Sequence, residues 1–99
     1  MSAYEEFLRP DRRLCILKIL FELNGKANDR IIQTALARLG HDRLALDTIR
    51  DDLRYLIDNG CIVDEWYSDV QVVEITRRGV DVAKGHIIVE GIKKPSIGV

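Results

Sequence analysis

The sequence predicts an α+β domain with the element order of a winged helix-turn-helix. Three main helices are followed by a β-hairpin wing, a short C-terminal helix and a tail. Three observations predict it. The run Leu46 to Val63, LDTIRDDLRYLIDNGCIV, reads as a helix that stops at Gly60 and passes straight into a strand. Two shorter helical stretches precede it. Two strand-like runs with a turn between them come after it. The whole chain, 1–99, reads as one domain, with 1–9 as an N-terminal arm and 86–99 as the tail.

Each element has a local cause. Tyr4, Phe7 and Leu8 fall on one side of a short amphipathic segment, and Pro10 is expected to break it from the first main helix. That helix spans about Pro10 to Leu23 and stops at Asn24-Gly25, residues that tolerate the left-handed backbone. Its centre, LCILKILFEL, is apolar on most of its circumference. A helix of that kind is central to its domain or packs against a second copy. Both are expected here, with a homodimer interface built from Tyr4, Phe7, Leu8, Ile16, Ile19, Leu20 and Leu23, joined by the tail from His86.

The second helix spans about Asp29 to Leu39, with Asn28 as N-cap and Gly40 as terminator. Ile31, Ile32, Ala35, Leu36 and Leu39 form its expected buried face, and Arg30 and Arg38 its exposed side. The third helix runs from about Leu44 to Asn59. It buries Leu46, Ile49, Leu53, Leu56 and Ile57. CIVDEWY and VQVVEIT are the two strands, with Ser68-Asp69 as the turn. Trp66 and Tyr67 alternate across the strand, so one is expected in the core and one outside, unless both simply cover the core. Thr76 caps a last helix of about Arg77 to Lys84, ended by Gly85. His86 to Val89 is strand-like, and Gly91, Pro95 and Gly98 make the rest a tail.

Composition narrows the function classes. Fifteen basic residues against sixteen acidic give a formal charge of −1, so the chain as a whole has no basic excess to hold nucleic acid. No apolar run approaches the ~18 residues of a membrane span. The start MSAYEEFLRPD has no apolar core of signal-peptide length. A cytoplasmic protein with Cys15 and Cys61 reduced is expected. Each cysteine sits among apolar neighbours and reads as a small buried hydrophobe.

The stretch Asp47 to Leu56 followed by Asn59-Gly60-Cys61-Ile62-Val63 resembles the recognition helix and first wing strand of bacterial winged-helix regulators. Four further pieces are Thr76-Arg77-Arg78-Gly79, Asp81 to Gly85, Gly91-Ile92 and Lys94-Pro95. Together with Gly40-His41-Asp42-Arg43 they resemble the small winged-helix proteins of Mu-like prophages, which are similar to ArsR-type transcriptional regulators. The resemblance covers nearly the whole chain and implies a prophage regulator that binds DNA as a homodimer. It does not bring a metal site. ArsR-type sensors place paired cysteines in the recognition helix, or cluster His and carboxylates near the chain ends. Here no cysteine lies between Leu44 and Asn59, Cys15 and Cys61 are far apart from each other, and His41 and His86 each stand alone beside a glycine.

Two functions of different classes fit this pattern. In the first, the chain binds duplex DNA. The outward set of the third helix is Asp47, Thr48, Arg50, Asp51, Arg54, Tyr55 and Asp58. Arg50 and Arg54, four apart, offer bidentate contacts to guanine and Thr48 a contact to phosphate. Arg77, Arg78, Arg12 and Arg13 are the expected phosphate anchors. In the second, the domain is a protein-interaction module. Asp47, Asp51 and Asp52 on the helix and Asp64, Glu65, Asp69 and Glu74 on the wing repel phosphate and suit a basic protein partner. No Ser/His/Asp or Cys/His grouping, phosphate-cradling glycine loop or zinc spacing is present, so neither catalysis nor a cofactor is expected.

Overall fold

A computed structural model of the chain describes residues 3–96. Gly98 of the expected tail lies outside the described residues. Helix α1 spans Ala3–Glu22 and strand β1 Lys26–Asn28; helices α2, Asp29–Arg38, and α3, Leu46–Asp58, come next. Strands β2, Ile62–Tyr67, and β3, Val70–Ile75, form the hairpin, and helix α4 spans Arg77–Ala83. The architecture is α+β, with four helices and a three-stranded antiparallel sheet in the order β1-β3-β2.

Most local signals act as expected. Asn28 Oδ1 accepts from the Ile31 backbone N–H and caps α2. Thr76 Oγ1 accepts from the Gly79 N–H and caps α4. Asn24 and Gly25 both take positive φ where α1 ends. Tyr67 pairs with Val70, leaving Ser68-Asp69 as a two-residue turn with Ser68 at φ 58°.

In its elements and their packing, the structure departs from the sequence expectation at several places. There is no break at Pro10: α1 runs through it. Proline costs the helix one hydrogen bond, but its fixed φ is itself helical. Strand β1 was not expected, because three residues are too few to show alternation; it pairs Ala27 with Val73 at the open edge of β3. Ile31 and Leu39 are exposed, because α1, α3 and β3 pack on the side of α2 that carries Ile32 and Leu36. Residues 86–89 form a bend and irregular backbone and no strand. The segment after α4 is not a loose tail over 86–96 either. It folds back so that Val89 and Ile92 join the core, and Lys93 N–H donates to the Pro10 carbonyl at 3.0 Å.

The core explains why α1 is so apolar. Ile16, Leu17 and Leu20 are fully buried with Ile32 and Leu36 of α2, Ile49, Leu53 and Leu56 of α3, and Val73 of β3. Ile16, Ile19 and Leu20, expected at a dimer interface, are therefore spent inside the monomer. Of the expected interface set, Tyr4, Phe7 and Leu23 stay exposed and Leu8 is half-buried. No helix among the described residues is long and apolar enough to cross a membrane.

Candidate interaction face and the arginine contacts behind it

Three of the arginines expected to face DNA are held by the protein itself. Asp52 lies on the buried side of α3, in line with Ile49 and Leu56, and is 1% exposed. Arg12 Nε donates to Asp52 Oδ2, and Arg13 Nε donates to Oδ1 at 2.9 Å. Both arginines are buried on α1, in step with Ile16 and Leu20. Arg13 also donates to the Gly91 carbonyl at 3.0 Å and lies over the Tyr55 ring, 3.8 Å from its centroid. Tyr55 in turn donates its hydroxyl hydrogen to the Glu90 carbonyl at 2.6 Å. The reason is electrostatic: a carboxylate on a buried helix face must be matched by cations and hydrogen bonds or it unfolds the site. Arg12 and Arg13 thus tie α1, α3 and the returning segment together; they are not on the surface for phosphate.

Arg50 is the third. Its Nε and Nη2 both donate to Asp29 Oδ2, at 3.0 and 2.7 Å, and Nη2 also donates to the Asp69 carbonyl at 2.7 Å. The guanidinium lies 4.9 Å from the Trp66 ring centroid. Asp29 is fully buried at the first turn of α2, where a negative charge is favoured by the helix dipole. Arg30 adds a contact to the Asp69 carboxylate at 3.1 Å, holding that carboxyl below the usual aspartate range, although the pair is exposed. Together these contacts fasten the hairpin turn to the start of α2 and to α3.

The outward surface of α3 keeps Asp47, Asp51, Arg54 and Asp58, with Thr48 partly covered. Arg54 pairs with Asp58 at 3.3 Å across one turn, a solvent-screened contact worth little. The hairpin adds exposed Glu65 and Glu74, both on the outer side of the sheet. Trp66 and Tyr67 are both exposed, so neither reaches the core, which Ile62 and Val73 already fill. On the outer side of the sheet, register places Val63, Glu65 and Tyr67 beside Glu74, Val72 and Val70. That side, with Lys26 of β1, lines a small cleft. Arg77 is 91% exposed and lies 3.8 Å from Asp81, while Arg78 Nε donates to the Asn59 carbonyl at 2.8 Å.

Cys15 and His41 do not stand alone. His41 Nε2 lies 2.8 Å from Asp11 Oδ2, and Cys15 Sγ lies 3.9 Å from the same oxygen. Lys93 Nζ approaches Asp11 Oδ1 at 3.4 Å. Burial pushes the Asp11 carboxyl up, but the His41 hydrogen bond and the Lys93 charge outweigh it and hold the group below its usual range. Burial, with the Asp11 charge beside it, pushes the Cys15 thiol up.

The buried charges had one readable signal. Asp52 shares the helical stripe of Ile49 and Leu56, and Arg12 and Arg13 share that of Ile16, Leu17 and Leu20. A carboxylate and two cations on two core-facing stripes require each other. Nothing local announces the meeting of His41 with Asp11, thirty residues away.

No protein-family model matches the chain. Similarity to individual proteins is clear. An uncharacterized protein of Haemophilus influenzae is 34% identical over 77 residues, which cover 77% of this chain and 74% of that one. Protein gp26 of Escherichia phage Mu, itself uncharacterized, is 37% identical over 90 residues, spanning 91% of this chain and 93% of gp26. The chain therefore belongs to the family of phage Mu protein gp26.

Proposed function

We propose that the chain is a winged-helix protein-interaction module of phage origin that presents its acidic third helix and wing to a basic protein partner. One observation carries this reading. Arg50, the arginine best placed on α3 to read a base, is bound to Asp29, the Asp69 carbonyl and the Trp66 face, while Asp47, Asp51 and Asp58 stay exposed around it. A surface of that sign repels duplex DNA and steers a cationic partner. Exposed Trp66 lies against Arg50 of α3, and exposed Tyr67 stands on the outer side of the hairpin; both are side chains enriched in protein interfaces. The reading includes a homodimer joined through the N-terminal turns of α1, where Tyr4 and Phe7 are exposed.

The test uses the full chain with a photocrosslinking side chain in place of Tyr67, in host-cell extract. One protein should be captured through the hairpin, and Asp47→Lys combined with Asp51→Lys should abolish its capture. Capture that survives this reversal of charge contradicts the reading.

A second reading is DNA binding as a homodimer. Its support is Arg54, whose side chain is 76% exposed on the outward side of α3, with Thr48 earlier on the same helix and Arg77 exposed at the start of α4. Arg54 then makes the base contact and Arg77 holds phosphate. Salt-steep binding to a duplex DNA pool, weakened by Arg54→Ala, favours this second reading.

A further inference from the structure

We propose that Asp11, Cys15 and His41 form a binding site for a single zinc-like divalent cation, with water as the fourth ligand. Asp11 and Cys15 are one helical turn apart on α1 and project side by side. His41 comes from the loop between α2 and α3, held in place by its backbone N–H on the Leu36 carbonyl at 2.9 Å. The three ligand atoms all lie within 4.8 Å of one another. One oxygen, Asp11 Oδ2, is shared by both contacts, at 2.8 Å from His41 Nε2 and 3.9 Å from Cys15 Sγ. In a tetrahedral zinc site with ordinary bond lengths, neighbouring ligand atoms stand about 3.3–3.6 Å apart. Shifts of about half an ångström bring those two contacts to that spacing, and the third pair, His41 Nε2 and Cys15 Sγ, starts within 4.8 Å and has to close with them.

The chemistry suits a borderline-soft cation. Thiolate and imidazole favour zinc over magnesium or calcium, and the carboxylate adds the negative charge that a dication needs. Lys93 occupies the other carboxylate oxygen, Oδ1, and leaves Oδ2 for the metal. Its charge opposes a dication, but its amine is exposed and has room to swing away. Asp11 is the half-open member of the set, whereas His41 is buried. A surface hollow lined by Phe7, Leu8, Pro10 and Lys93 reaches Asp11 and gives ion and water a way in. On binding, the Cys15 thiol proton leaves to solvent as the sulfur–metal bond forms. The cation would clamp the Gly40–Arg43 turn, which leads into α3, onto α1.

Cobalt(II) is the probe, titrated into the metal-free full-length protein under reducing conditions. Thiolate-to-cobalt charge-transfer absorption and the visible bands of tetrahedral cobalt should rise together and saturate at one ion per chain, and zinc should displace them. Cys15→Ser should remove the charge-transfer band, while Cys61→Ser should keep it. His41→Ala should weaken binding by about tenfold or more, since even outer-shell partners of a metal contribute about 10–100-fold. Circular dichroism of each metal-free variant separates lost ligation from lost folding. No charge-transfer band with the wild-type chain, or a band that persists in folded Cys15→Ser, overturns the site.

Discussion

Arg50 reaches across from α3 and places two of its N–H groups on one oxygen of Asp29, the fully buried first residue of α2. The other carboxylate oxygen, Oδ1, is buried with no hydrogen-bond partner among the described residues. The pair thus leaves little reserve: remove Arg50 and a buried carboxylate has lost its cation. Arg50→Ala should destabilise by about 3–5 kcal/mol, as breaking a buried pair from one side does. Because the same guanidinium holds the Asp69 carbonyl, hydrogen exchange in the hairpin turn should rise as well. A urea melt and exchange mass spectrometry check both. A melt within ~0.5 kcal/mol of wild type would return Arg50 to the surface and make it available to a ligand.

The Asp52 cluster makes a parallel prediction with a built-in control. Asp52→Ala strands two buried guanidinium groups and should cost about 3–5 kcal/mol. Replacing all three charges, as Arg12→Met, Arg13→Met and Asp52→Leu together, should recover much of that loss, because an apolar cluster carries no desolvation penalty. Should the triple variant be no more stable than Asp52→Ala, the contacts of Arg13 with Gly91 and Tyr55 matter more than the charge balance.

The segment after α4 is anchored by backbone geometry. Gly91 takes φ +87°, and a Cβ there would run into the Tyr55 hydroxyl. Gly91→Ala should therefore destabilise by about 1–3 kcal/mol through strain and a displaced Tyr55. It should also raise exchange over residues 86–96 more than in α2. Uniform exchange across the chain would show that this segment contributes no more than a tail.

These contacts mark where the sequence was legible and where it was not. Boundaries set by neighbours in the chain were readable: the Asn28 and Thr76 caps, the Asn24-Gly25 stop and the Ser68-Asp69 turn all act locally. The core stripe Ile49, Leu53 and Leu56 was readable from helical period alone. The features that escaped depend on partners distant in sequence. β1 exists because β3 offers an edge, and Arg12 and Arg13 are buried because Asp52 waits on another helix. Arg50 looked free because its partner, Asp29, read only as the start of a helix. The expected dimer surface shrank for the same reason, once α2 and α3 had covered Ile16 and Leu20.

Self-association is predicted to survive on the smaller surface that remains. Light scattering at micromolar concentration should give twice the chain mass, and Phe7→Glu should return it to one, since it puts a charge on an exposed apolar turn of α1. A wild-type monomer at that concentration removes the homodimer, and with it binding to paired DNA half-sites.

Whether α3 and the hairpin meet a protein and not DNA is tested most directly by the salt dependence of binding to a duplex DNA pool. Arg54→Ala is the informative variant, because Arg54 is exposed and carries no core contact, unlike Arg50. Fluorescence anisotropy at 50 and 200 mM salt separates the outcomes, since a complex with 6–10 phosphate contacts loses about 10³–10⁵ in affinity over that range. A protein-facing surface predicts no DNA binding at micromolar protein at either salt, and no change with Arg54→Ala. Submicromolar binding at low salt that collapses at high salt and weakens in Arg54→Ala would contradict it, and would establish the third helix as a DNA reader.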